Sequence, residues 1–154
     1  MTEALTDAAL FELLSLECRV DTDGTVYYNN EQGQMHRVHG PAVEYTSGTC
    51  EWRQNGRLHR LDVPAIEYSD GGEWWQNGQL HRPDGPAIDW PDGYRAWFQN
   101  GLLHRLDGPA LVNADGCCEW FINGESLTQA EWQQAVASMG CTLRDSSGVL
   151  GEPQ

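Results

Sequence analysis

Four histidines, His36, His59, His81 and His104, are each followed directly by an arginine, and the last three by an aspartate three places on (Asp62, Asp84, Asp107). Imidazole, guanidinium and carboxylate are the groups of metal ligation, proton transfer and anion stabilisation, so the pattern invites a metal or catalytic reading. Its spacing argues against one. The residues belong to a seven-residue phrase, HRVHGPA, HRLDVPA, HRPDGPA and HRLDGPA, that recurs at offsets of 23, 22 and 23 residues. A fixed period in this range describes stacked supersecondary units that share a surface. If each unit is a pair of strands, equivalent side chains stand about 10 Å apart, twice the ~4.8 Å strand spacing. Zinc holds its nitrogen ligands at about 2.0–2.1 Å from one centre. The ladder is too coarse to converge.

Other chemistry is equally dispersed. The five cysteines, Cys18, Cys50, Cys117, Cys118 and Cys141, are odd in number and lack CxxC spacing, which suits reduced thiols better than a disulfide framework or a zinc site. Serine-nucleophile motifs, phosphate-cradling glycine loops and zinc-protease spacing are absent, and the glycines recur as turn residues at the unit period. The expectation is a protein that is not an enzyme, with no catalytic residue, metal or cofactor.

The elements that carry these residues are legible from two turn signals per unit. Ser47-Gly48, Asp92-Gly93 and Asp115-Gly116 read as two-residue hairpin turns, and Asn55-Gly56, Asn77-Gly78, Asn100-Gly101 and Asn123-Gly124 turn the chain again. A two-residue loop at 47–48 sets Val43 opposite Trp52, Glu44 opposite Glu51 and Ala42 opposite Arg53. The same register pairs Ile88 with Trp97 and Leu111 with Trp120, and a three-residue loop at 69–71 pairs Ile66 with Trp74. An aliphatic-to-Trp row on one face, with polar residues alternating onto the other, describes a half-buried sheet whose Trp face is the core. His59 falls opposite Trp52 across the Asn55-Gly56 turn, so its ring is expected to pack on that indole. Arg60 with Asp62, Arg82 with Asp84 and Arg105 with Asp107 are expected to brace the kinked HRxDGPA connection, where Gly and Pro set unusual backbone.

The fold class expected is mainly β: an elongated antiparallel meander of stacked hairpin repeats of about 23 residues, flanked by an N-terminal and a C-terminal α-helix. The helix at 1–19 rests on its Ala- and Leu-rich composition, with Leu10, Leu13, Leu14 and Cys18 on one face. Residues 20–127 hold about 4.5 units, the first a degenerate cap around Asp23-Gly24 and Gly33-Gln34-Met35-His36. A capping helix is expected over 128–140, from the capping-box spacing of Thr128 and Glu131 to a stop at Gly140, with 141–154 a flexible tail.

The chain has 9 basic and 23 acidic residues, a net charge of −14, and every basic residue is Arg. Such a surface repels phosphates and anionic headgroups, which opposes direct nucleic-acid or membrane binding and favours a basic protein or nucleoprotein complex as partner. The N-terminus lacks the basic segment and apolar run of a secretory signal, and no stretch reaches transmembrane length, so a cytoplasmic location is expected.

By the register above, the outer face carries Glu44, Glu51, Glu67, Glu73, Asp89 and Glu119, interleaved with Arg53, Trp75, Phe98 and Phe121. Like-charge cross-strand pairs such as Glu44–Glu51 and Glu67–Glu73 cost about 0.2–1 kcal/mol each, so stability gives no reason for them. Two readings account for the arrangement: an interface, with aromatic anchors for affinity and charge for steering, and a solvated acidic face that keeps a Trp-rich sheet soluble, with the rings covered by a flanking helix. These ten residues are the candidate partner-binding set. Exposed strands at the sheet ends add a route to self-association.

The period, the hairpin layout and the W-x-x-N-G-x-x-H…D-G pattern resemble MORN-type repeats. The longer form NGxLHRxDGPA, closed by NGESLTQAEW at 123–132, is similar to repeat proteins of bacteriophages and other large viruses, over roughly residues 20–139. The resemblance implies protein interaction or membrane-lipid contact, with antitoxin-like roles for some bacterial variants. Small size and acidity then point to a protein that binds and inhibits another protein, of inhibitor, immunity or phage anti-defence type and host-cytoplasmic if phage-encoded. Alternatives are a nucleic-acid mimic that blocks a basic groove, and a small-molecule or nucleotide sponge using clefts between a helix and the Trp-rich sheet, where aromatics and Arg sandwich the ligand.

Overall fold

The two kinds of turn build two kinds of hairpin. The structure, a computed structural model, describes residues 15–145. At Asn55-Gly56, Asn77-Gly78, Asn100-Gly101 and Asn123-Gly124, Asn takes φ of 49–52° and Gly φ of 78–82°. This two-residue loop with positive φ at both positions matches the twist of its flanking strands. It pairs Arg53 with Leu58, Trp75 with Leu80 and Phe98 with Leu103, as the sequence predicts.

The other turns differ by one residue from expectation. Tyr45 N–H donates to Thr49 O and Gly48 N–H to Tyr45 O, both at 2.9 Å, with Gly48 at φ 87°. The loop is therefore three residues, 46–48. The same closure recurs around 91–93 and 114–116, stabilised by Asp92 and Asp115 carboxylates that accept the N–H two residues on, each at 2.9 Å. The shortened unit closes on two residues instead of the predicted three, because Tyr68 pairs with Gly71. A Ser-Gly or Asp-Gly dipeptide serves both a two-residue loop and a three-residue loop whose Gly forms a bulge, and the local sequence alone does not separate them.

One residue of loop length reverses the predicted pairing across each of these outer turns. Val43 faces Glu51, Ile66 faces Glu73, Ile88 faces Ala96 and Leu111 faces Glu119, so the predicted aliphatic–Trp pairs are overturned. Glu44 faces Cys50, and Glu67 faces both Cys50 and Gly72, so the predicted Glu–Glu pairs do not form. The outer hairpins join in chain order into an eleven-stranded antiparallel meander, from Glu17–Val20 at one edge to Glu125–Leu127 at the other.

Extending the observed register by one residue sets Trp52 between Ala42 and Ala65, Trp74 between Ala65 and Ala87, and Trp97 between Ala87 and Ala110. Those four alanines, with Val43 and Ala96, have no exposed surface, while the tryptophans are half-buried. The fully buried layer is thus alanine, whose small side chain admits an indole from each neighbouring strand. The alanines share the tryptophan face, and Val43, Ile66 and Ala96 are buried on the opposite one, so the core is not confined to the Trp face.

The degenerate first unit follows the same plan: His36 N–H donates to Tyr28 O at 2.9 Å, as His59 does to Trp52 O at 3.0 Å. At the N-terminus, Glu17–Val20 is a strand paired with Val26–Asn29, not the end of a helix. The Asp23-Gly24 turn brings these segments together, and ladder pairing overrides the weak helical preference of the short stretch. The remainder of the predicted 1–19 helix, residues 1–14, lies outside the described residues. The C-terminal helix runs Gln129–Asp145, past the predicted stop at 140 and into the predicted tail. Gly140 costs a helix only about 1 kcal/mol and does not by itself end one. The capping box forms as read: Glu131 N–H donates to Thr128 Oγ1 at 3.3 Å, and Thr128 N–H to Glu131 Oε2 at 2.8 Å.

Candidate binding surface

The HRxDGPA connections form a row of loops along the repeat axis, each organised by its arginine. Arg37, Arg60, Arg82 and Arg105 donate through one guanidinium nitrogen to the proline carbonyl four residues on, at 3.1–3.2 Å. The same guanidinium carbons lie 3.7–4.0 Å from the ring centres of Tyr28, Trp52, Trp74 and Trp97. Each such contact contributes about 0.5–2 kcal/mol. Arg82–Asp84 and Arg105–Asp107 pair as the sequence predicts, at 3.3 and 2.7 Å, whereas Arg60 pairs with Glu67 and Arg37 with Glu44. The Arg105 guanidinium holds the Asp107 carboxyl below the usual carboxylate range.

The histidines join units. The Nδ1 atoms of His36, His59, His81 and His104 accept the backbone N–H of Asn55, Asn77, Asn100 and Asn123 in the following Asn-Gly turn, at 3.0–3.2 Å. The neighbouring Gly56, Gly78, Gly101 and Gly124 donate to Met35, Leu58, Leu80 and Leu103 carbonyls at 2.8–2.9 Å. The predicted His59-on-Trp52 packing is corrected: the arginine covers the indole, and the histidine caps the next unit's turn. Among the described residues no group of three or more His, Cys, Asp and Glu is placed to hold a metal ion.

Between successive loops lie clefts at corresponding positions, the outer two of about 560 and 500 Å³ and the middle one narrower, about 150 Å³. Each has a tryptophan (Trp52, Trp74, Trp97), a glutamine two residues on (Gln54, Gln76, Gln99) and the unit's histidine (His59, His81, His104) in its lining. Among the described residues the three glutamine side chains make no hydrogen bond. The loop tips are apolar: Val38, Leu61 and Leu106 are 47, 58 and 42% exposed, and Pro83 occupies the same place. Sequence reading passed over this surface. Its signal is the phrase QNG at 54–56, 76–78 and 99–101, whose glutamine recurs beside each of these Asn-Gly turns.

The ten residues predicted as one outer face are divided between two. Glu44, Glu67 and Asp89 share a face with Cys50 and Arg95, whereas Glu51, Glu73 and Glu119 share the other with Val43, Ile66, Ile88 and Leu111. Each carboxylate has an internal partner. Glu44, Glu67 and Asp89 pair with Arg37, Arg60 and Arg95, and Glu51 accepts Arg53 Nε at 2.6 Å and Tyr45 Oη at 3.0 Å. Glu73 accepts Trp75 Nε1 at 2.8 Å and Tyr68 Oη at 3.2 Å, and Glu119 accepts Asn113 Nδ2 at 3.4 Å. Burial, and then the Glu73 charge, push the Tyr68 hydroxyl up to about 12. Trp75, Phe98 and Phe121 are half-buried and face Leu80, Leu103 and Ser126 across their hairpins. One face of each of the Trp52, Trp74 and Trp97 indoles is covered by the chain's own arginine.

Comparison with protein-family models, curated proteins and solved structures gives no match. The four described cysteines, Cys18, Cys50, Cys117 and Cys118, are free thiols. Among the described residues, no helix is long and apolar enough to cross a membrane.

Proposed function

We propose that this chain is a non-enzymatic repeat protein that binds a basic partner protein along its row of loops and blocks it, as an inhibitor, immunity or anti-defence protein does. The observation that carries this reading is the threefold cleft, in which an indole, an uncommitted amide and an apolar loop tip recur at unit spacing. Chemistry on one substrate needs dissimilar groups in one place; a surface that repeats itself suits a partner engaged over several units. The net charge of −14 steers a cationic partner toward it. The repeat phrase and its hairpin layout support a MORN-type ancestry. Because each carboxylate of the acidic set is held internally, the loop row is the better contact surface.

The test is affinity capture from the native host's lysate with three proteins: wild type, a Leu61→Glu/Leu106→Glu loop-tip variant, and an Asp92→Ser turn variant as control. A stoichiometric partner held by wild type and control and lost by the loop-tip variant supports the reading. Recovery of chaperones alone overturns it.

A further inference from the structure

The spacing of the clefts selects the conformation of what fills them. Neighbouring units are two strands apart, about 9.6 Å at ~4.8 Å per strand. A polyproline II segment advances ~3.1 Å per residue and returns to the same side every third residue, a repeat of about 9.3 Å. Over the two steps that separate three clefts, the mismatch is only about 0.6 Å. A helix returning at every seventh residue advances about 10.5 Å per step and accumulates about 1.8 Å of error. A β-strand advances about 10 Å in three residues, but its third residue points to the opposite side.

The lining agrees with the spacing. A polyproline II backbone has no internal hydrogen bonds, so its carbonyls need donors, whereas a helix has already satisfied its own. Gln54, Gln76 and Gln99 offer one uncommitted amide per cleft beside Trp52, Trp74 and Trp97. Aromatic-lined grooves are the general means of receiving proline rings. Asp84 and Asp107 pair with Arg82 and Arg105 but stand at the rim with side chains 83 and 84% exposed, about twice the exposure of Glu44, Glu67 and Asp89, which leaves their outer oxygens open to cationic side chains.

Resting on the binding role above, we propose that the three inter-loop clefts form a groove for a proline-rich, basic segment of a partner, bound as a polyproline II helix with one side chain per cleft. Each glutamine donates to a segment carbonyl, each proline ring lies against an indole edge, and arginine or lysine at the intervening positions meets the rim aspartates.

The test is titration of the full chain with acetyl-(Pro-Pro-Arg)4-amide in 0.3 M salt, read by tryptophan fluorescence and heteronuclear NMR. Two peptides of equal charge serve as comparisons, one with arginine at every fourth residue and one an alanine-rich helix with arginine at every seventh. The expected result is saturable binding of the first, weakened at least about tenfold both by the altered spacing and in a Gln54→Ala/Gln76→Ala/Gln99→Ala variant whose circular dichroism matches wild type. Equal affinity for the three peptides, undiminished binding by the variant, or no saturable binding each overturns the groove. If lysate capture still yields a loop-dependent partner, the binding role survives and only the polyproline II assignment falls.

Discussion

The glycine of the G-P-A phrase leaves room for the guanidinium of the arginine three residues before it. A Cβ at Gly40, Gly85 or Gly108 would come within 2.7, 2.9 and 3.0 Å of the guanidinium carbon of Arg37, Arg82 and Arg105. The second loop has Val63 there, and its backbone differs: Asp62 takes φ 66°, and Val63 N–H closes back on Leu61 O at 2.9 Å. That tight turn about a left-handed non-glycine residue is a strained conformation. Val63→Gly is therefore expected to let the loop adopt its siblings' path and to raise stability by about 1 kcal/mol, measured by urea denaturation; an unchanged or lower midpoint means the valine is not strained. A second residue-scale effect concerns Tyr68. Its folded hydroxyl, at about 12, titrates above its ordinary value near 10, so its contribution is complete below pH 10 and is lost as pH rises toward 12. Tyr68→Phe should flatten the alkaline fall in melting temperature over that window, and equal falls in both proteins would refute the assignment.

Units are coupled through the Asn-Gly hairpins, where a histidine of one unit accepts a backbone N–H of the next. His81→Ala removes the acceptor for Asn100 N–H while leaving both strands intact. The expected loss is about 1 kcal/mol, the net value of a partly solvated hydrogen bond. His81→Asn, whose Oδ1 can take the place of Nδ1, should recover most of it, and amide exchange at Asn100 should speed up in the alanine variant alone. Equal stability of both variants and wild type would mean that the imidazole contact contributes nothing. The loop length of the outer hairpins acts at this scale too: by adding one residue, it puts alanines rather than aliphatics beside the indoles and leaves the arginines to cover them.

The molecule as a whole carries a charge of −14, and its described residues are an array of such units followed by the helix Gln129–Asp145. Trp132 donates its indole N–H to Arg105 O at 2.9 Å, fixing the helix to the last loop. Its acid response combines small local effects. The backbone N–H groups of Thr25, Cys117 and Thr128 hold Asp23, Asp115 and Glu131 below the usual carboxylate range. Their stabilisation is therefore present above the ordinary carboxylate value near 4 and is lost as pH falls below it. A melt series from pH 6 to 2.5 should show the melting temperature falling once pH drops below about 4; a plateau to pH 2.5 would show that the turn carboxylates do not stabilise the array.

The sequence by itself determined the period, the β-hairpin unit, the Asn-Gly turns, the Thr128–Glu131 cap and the Arg82–Asp84 and Arg105–Asp107 pairs. All of these depend on residues within one unit or one turn, where backbone preference and short-range hydrogen bonding decide the outcome. Tertiary structure decided the register, the division of Glu44 and Glu51 between two faces, the His-to-Asn bonds and the arginine–indole stacks. A single residue of loop length inverts the alternation of a strand, and the bonds that join units link residues 18 or 19 positions apart. Only the stacked array brings those residues together, and with them the row of clefts between its loops.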